Sequence, residues 1–330
     1  MHSLVAVGGG TGLAATLRGL KHAVADGQID ALTAVVTVAD DGGSSGRLRR
    51  DFGVPPPGDI RNCIVALADD EDLLARLFQF RFENGEGLSG HSFGNLFLTA
   101  LASVTGDFYR AIVTAESILS VRGRILPATL GDVRLTATGR SGRRYDGESA
   151  IGLSGEPITS LELEPASADA FPPACEALAD ADLILLGPGS HYTSVLPNLL
   201  IPGIRDALRV SQAPKVWILN LMTQPGETDH MDAVAHLDAL ERHAGQGLID
   251  TVLVNNRPPP ADVVARYAEA GSDLVEIDQE IFARHGIEVV ETDLLADEDD
   301  LIRHDPIKLS RAVLTLPSSS ANRRSDDRGI

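Results

Sequence analysis

A chain of 330 residues with a formal net charge of −19 is long enough for one large domain or two small ones. That charge excludes non-specific binding to nucleic acid or anionic membranes, which carry the same sign. The two cysteines, Cys63 and Cys175, have no metal-ligand spacing around them, which excludes a disulfide scaffold and a zinc site of that kind. No apolar run reaches the ~18 residues of a membrane span, and no charged and apolar leader precedes the first strand. A cytoplasmic protein is expected.

The chain opens on a buried-strand pattern, Leu4-Val5-Ala6-Val7. Gly8-Gly9-Gly10-Thr11-Gly12 follows, then a helical stretch over 13–25. Strand, glycine turn and helix open a nucleotide-binding βαβ unit, where N–H groups at the helix start receive a phosphate. Gly9, Gly10, Thr11 and Gly12 are therefore candidate ligand contacts. The dinucleotide fingerprint asks for another glycine or alanine where Leu13 stands, which weakens an NAD-binding enzyme as the reading. A second strand over 32–38 runs into Asp40-Asp41-Gly42-Gly43-Ser44-Ser45-Gly46-Arg47. Such a strand end presents polar groups where ligands sit in open α/β sheets. It adds Asp40, Asp41, Gly43, Ser44 and Ser45 to the candidates.

Prolines over 55–57 fix an extended loop, and Asp59 is placed to cap a helix over 60–68. Arg61 and Asn62 fall in its first turn, where an arginine opposes the helix dipole and invites a ligand or carboxylate. A helix over 72–82 carries Leu73, Leu74, Leu77, Phe78 and Phe82 on one face, which reads as core. Gly90-His91-Ser92-Phe93-Gly94-Asn95 opens an apolar helix over 96–104, and His91 and Asn95 there suit an anion or a general acid. Another helix covers 108–119. Between 121 and 163 alternating residues predict an inserted antiparallel β element with strands at 125–129, 133–137 and 158–163.

After a helix over 175–181, a strand at 182–186 ends in Gly187-Pro188-Gly189-Ser190-His191. A helix over 202–211 leads to a strand at 215–220, which ends in Leu221-Met222-Thr223-Gln224-Pro225-Gly226-Glu227-Thr228. A strand at 251–254 ends in Asn255-Asn256. These parallel strands all end in polar loops, which favours one shared crevice. Gly187, Gly189, Ser190, Asn220, Thr223 and Gln224 join the candidates. A helix over 261–270, a strand at 288–291 and a final helix capped by Arg303-His304-Asp305-Pro306 complete the pattern. The acidic run 297–300 reads as a solvated loop. Residues 1–316 form a single domain, and 317–330 have the composition of a disordered tail.

These loops suit phosphates, hydroxyls and a base or amide, that is, a phosphorylated, polyhydroxylated ligand. Asp40 and Asp41 would hold Mg²⁺ beside a diphosphate, or bind a sugar hydroxyl directly. With no nucleophile-and-base signature, the residues alone do not say whether a bond is broken.

Six stretches, 8–12, 38–49, 56–63, 90–95, 187–200 and 222–228, resemble the CofD-like family, and specifically its YvcK branch of gluconeogenesis factors. The resemblance implies a three-layer α/β/α Rossmann-like fold with a mainly parallel sheet. It implies binding of UDP-sugars such as UDP-N-acetylglucosamine, a role in cell shape and cell-wall synthesis, and growth on gluconeogenic carbon sources. Cell-wall synthesis proteins and a second copy of the chain, as a homo-oligomeric dimer, are the expected partners. In that branch a tyrosine and an arginine of the C-terminal third are linked to UDP-sugar binding, and they match Tyr267 and Arg303. The enzyme relative is 2-phospho-L-lactate transferase, which uses Mg²⁺, so a phospholactate-type transfer is the alternative. Three departures from the family pattern stand out: Ala14 stands where a serine is usual, His191 replaces a usual aliphatic residue, and Pro306 occupies the place of a regulatory threonine.

Overall fold

The structure, a computed structural model, describes residues 1–69, 71–297 and 300–319. Its strands are β1 (Ser3–Gly8), β2 (Ala31–Val36), β3 (Arg124–Pro127), β4 (Arg134–Gly139), β5 (Arg144–Asp146), β6 (Ile158–Glu164), β7 (Leu183–Leu186), β8 (Lys215–Ile218), β9 (Thr251–Asn255) and β10 (Glu288–Thr292). Seven of them form a sheet in the order β10-β9-β8-β7-β1-β2-β3, with every pair parallel. The order reverses between β1 and β7: the chain builds outward from β1 to β3, then returns to lay β7 to β10 on the other side. Such a switch point opens a crevice at the carboxyl ends of the two strands.

Parallel strands covered on both faces need apolar side chains on both. In β1, Val5 and Val7 enter one core while Leu4 and Ala6 enter the other. The helices are α1 (Gly10–Ala25), α2 (Gly43–Phe52), α3 (Gly58–Leu67), α4 (Glu71–Gln79), α5 (Phe93–Thr105), α6 (Phe108–Ile118), α7 (Glu148–Ile151), α8 (Pro172–Ala179), α9 (Leu196–Leu199), α10 (Pro202–Val210), α11 (Ala233–Ala244), α12 (Ala261–Glu269), α13 (Gln279–Arg284) and α14 (Pro306–Thr315). Helices α1, α3, α5, α6 and α14 cover the Leu4 face. Helices α8 to α11, with α13, cover the Val5 face, joined by the antiparallel sheet β5-β4-β6. This is the expected three-layer architecture. Helix α14 lies close on α1 because position 19 is glycine; a Cβ there would stand 1.9 Å from the Pro306 carbonyl oxygen.

Several expected elements are corrected. The strand expected at 125–129 in the inserted element is β3, a parallel edge strand of the main sheet beside β2. Its Ile125 and Leu126 are fully buried, which an exposed hairpin strand would not allow. The insertion is therefore β4 to β6. Residues 43–52 and 233–244, to which the sequence pattern assigns no element, form α2 and α11. Helix α1 begins at Gly10 rather than at 13. Asp59 does not cap α3: Pro57 holds the cap position and Asp59 lies in the first turn. On α4, Phe78 is buried but Leu73 and Leu77 are 63% and 41% exposed. The Leu74 side chain lies outside the described residues, as do Glu298 and Asp299 and the tail from 320 onward. Ser319 still donates its N–H to the Asp182 carbonyl. Among the described residues no single helix is long and apolar enough to cross a membrane.

Candidate functional site

The turns after β1 and β7 meet at the switch point. Gly10 has φ +63°, which lets the chain turn sharply into α1. Gly12 faces the second turn so closely that a Cβ would sit 2.3 Å from the Pro188 carbonyl oxygen. The two turns are further tied by Asn198, whose Nδ2 donates to the Gly8 carbonyl at 3.2 Å and the Ser194 carbonyl at 2.9 Å. Asn220, after β8, donates to the Gly189 carbonyl at 2.9 Å, and Ser190 donates to Gln224 Oε1 at 2.7 Å.

These turns border a crevice of about 820 Å³. Thr11, Gly12, Asn62, Gly189, Ser190, Asn220, Gln224 and Arg303 all line it, so eight of the sequence candidates meet there. Thr11, Ala14, Ala15 and Arg18 share its wall at helical spacing, which brings a second arginine. His304 also lines it; burial holds its imidazole down at about 4, so it is neutral, and its buried Nε2 has no partner.

Tyr267 sits elsewhere. It packs against a small apolar cluster that includes Ile302, and its hydroxyl accepts the Ile302 N–H at 3.2 Å. It thus holds the segment that carries Arg303. Thr223 turns away too, accepting the Asp273 N–H at 2.8 Å.

A different chemistry lies behind the glycine turn. Asp59 is half-buried, and burial raises its carboxyl to about 6 against the opposing N–H of Gly10. Asp40 accepts the Gly42 N–H at 2.7 Å and is also raised by burial, partly offset by that bond and by Ser45. Asp41, its neighbour in sequence, serves the inserted sheet and accepts the Ser149 N–H at 3.0 Å. Two residues that sequence reasoning missed complete this corner. Glu148 of α7 is raised to about 9 by burial and by the charges of Asp40, Asp59, Glu227 and Asp41. Glu227 is raised to about 7 by burial, and accepts from Thr193 Oγ1 at 3.2 Å and Gln224 Nε2 at 3.0 Å. The Gln224 amide therefore joins the crevice to the acidic corner. Arg61 is the nearest cation; it donates to Ser92 Oγ and Asn62 Oδ1, each at 2.7 Å.

Among the described residues no three His, Cys, Asp or Glu side chains are grouped to hold a metal ion. Burial first, and then a neighbouring carboxylate, raises Asp40 and Asp59, and a cation beside them would favour their charged forms. These carboxylates fit Mg²⁺ in company with a ligand's phosphate oxygens.

Ser44, Ser45, His91 and Asn95 form a buried lattice that fastens α2 to α5. His91 Nδ1 pairs with Ser44 Oγ at 2.9 Å, and Asn95 Nδ2 donates to Ser45 Oγ at 3.3 Å. Burial, then Arg47, lowers the His91 pKa. Gly43 begins α2 with φ +46°, and Gly187 turns the chain after β7 with φ +76°. His191 is buried and kept neutral, edge-on to His236 with ring centroids 5.0 Å apart.

A parallel sheet with a glycine turn at its switch point and polar strand-end loops defines a Rossmann-like α/β protein. The sequence profile of the family described as 2-phospho-L-lactate transferase CofD matches residues 4–295. The chain belongs to the CofD family. It is 46% identical over 309 residues to the gluconeogenesis factor of Bacillus subtilis (strain 168), covering 94% of this chain and 96% of that protein. It is 40% identical over 326 residues to the gluconeogenesis factor of Listeria monocytogenes, covering 97% of each. A solved structure of a UPF0052-family protein from Bacillus halodurans superposes with a TM-score of 0.90 at 46% identity, covering 95% of this chain and all of that one.

Proposed function

We propose that the crevice binds a UDP-sugar, UDP-N-acetylglucosamine first among them, and that binding regulates cell-wall synthesis and cell shape during growth on gluconeogenic carbon. The observation that carries this reading is the composition of the crevice. A glycine turn at a helix start, hydroxyls, amides and two arginines surround about 820 Å³ at the switch point. Helix-start N–H groups and arginine forks suit a diphosphate, and the amides and hydroxyls suit a sugar and a base. The names of the relatives support the metabolic setting. Cell-wall synthesis proteins, and a second copy of the chain in a dimer, are the partners on this reading.

Calorimetric titration with UDP-N-acetylglucosamine, UDP and NAD tests it. UDP-N-acetylglucosamine and UDP are expected to bind and NAD not to. Tight NAD binding with no heat from either uridine nucleotide would overturn the reading.

The acidic corner favours a second reading, a Mg²⁺-dependent transfer of the phospholactate type. Mg²⁺ held by Asp40 and Asp59 would neutralise phosphate charge there. Product formed from a phospholactyl nucleotide and a deazaflavin acceptor, dependent on Mg²⁺, would establish it.

A further inference from the structure

A second concavity of about 450 Å³ lies between α2 and the inserted sheet. Its walls carry Arg49 and Arg50 of α2, Arg134 at the start of β4, and Asp41, Asp132 and Asp146. Three bases facing three acids would make a neutral cleft if the acids were free. They are not. Asp132 pairs with Arg49, and Asp146 pairs with Arg144. Asp41 accepts the Ser149 N–H.

The arginines are less well served. Arg50 and Arg134 have no acidic partner among the described residues. The Arg49 side chain is only 10% exposed, and its buried Nη1 has no acceptor although Nη2 meets Asp132. A buried guanidinium N–H without an acceptor is costly, and the planar fork matches a phosphate better than water does. The remainder of the chain is strongly acidic, so a concave face with as many arginines as aspartates stands out against it.

We propose that this cleft is an anion site for the phosphate group of a small molecule, gripped by Arg49, Arg50 and Arg134. It is separate from the crevice and does not depend on the nucleotide-sugar reading. Asp41 forms part of its wall and also acts on Glu148, so an anion there sits next to the acidic corner.

Inorganic pyrophosphate is the probe. Because pyrophosphate also suits the crevice, the readout must be local: arginine modification by phenylglyoxal, followed by peptide mass spectrometry at constant ionic strength. Pyrophosphate should slow modification of Arg50 and Arg134 several-fold, and leave the exposed Arg110 and Arg140 unchanged. In Arg134→Gln, an exposed position whose loss should not unfold the chain, protection of Arg50 should fall away. A circular dichroism spectrum checks that the variant is folded. Equal protection at all four arginines, or undiminished protection of Arg50 in Arg134→Gln, would overturn the proposal.

Discussion

On the β7 side of the switch point the strand ends offer amides, hydroxyls and two arginines to an open crevice. On the side facing the inserted sheet they offer Asp40 and Asp59, half-buried beside Glu148 and the buried Glu227. The first half is open in shape, and its turns are tied by hydrogen bonds from Asn198, Asn220 and Ser190. The second holds carboxyls whose pKa values burial and neighbouring charges raise. A crevice that carries two arginines favours an anionic ligand; a corner of crowded carboxyls favours a proton or a cation. The two halves meet at Gln224, which is bonded to Ser190 on one side and Glu227 on the other.

Breaking the contact between the two turns should have the largest effect. Gly12→Ala drives a Cβ into the Pro188 carbonyl, and overpacking of this kind costs about 1–3 kcal/mol. Thermal unfolding should show the loss, and UDP-N-acetylglucosamine binding should vanish with it.

The acidic half is addressed by pH. Glu148 has a folded-state pKa of about 9 against 4.5 in the open chain. Between those values unfolding releases a proton, so stability falls as pH rises from about 4.5 towards 9. Glu148→Gln removes that slope. The variant should match the parent near pH 4.5 and exceed it near pH 8 by on the order of 1–2 kcal/mol, measured by denaturant titration. A parent protein whose stability rises across this range would contradict the buried-acid description.

Arg303→Ala tests the crevice without touching the corner. It should weaken UDP-N-acetylglucosamine about tenfold, ~1.4 kcal/mol, with little change in unfolding temperature. Tyr267→Phe should act more gently. Losing the acceptor of the Ile302 N–H costs about 1 kcal/mol or less and loosens the Arg303 segment, so binding should weaken only a few-fold. A Tyr267→Phe effect as large as that of Arg303→Ala would mean that the tyrosine touches the ligand.

The crevice was largely legible in the sequence because its parts are local. A glycine turn after an apolar run, or a hydroxyl after a strand, is visible within a dozen residues. Arg18 was equally legible, since Thr11, Ala14, Ala15 and Arg18 follow the helical repeat, but no motif drew attention to it. Glu148 was not. It reaches the corner only because the inserted sheet folds back over the strand ends, a contact with no local trace. Helix α2 escaped because Gly-Gly-Ser-Ser has poor helix propensity; buried bonds from His91 and Asn95 hold it instead. Those two residues were chosen for a ligand, and the structure gives them a fastening role. Strand β3 was placed in the wrong sheet because a short apolar run reads alike as a hairpin strand or an edge strand of a parallel sheet.

Which half of the sheet edge receives the ligand is measured directly by a crystal structure of the whole protein with UDP-N-acetylglucosamine. The diphosphate should lie at the Thr11–Gly12 helix start within reach of Ser190 and Arg303, with the acidic corner beyond it. Density for the nucleotide in the cleft between α2 and the inserted sheet, with an empty switch-point crevice, would contradict it.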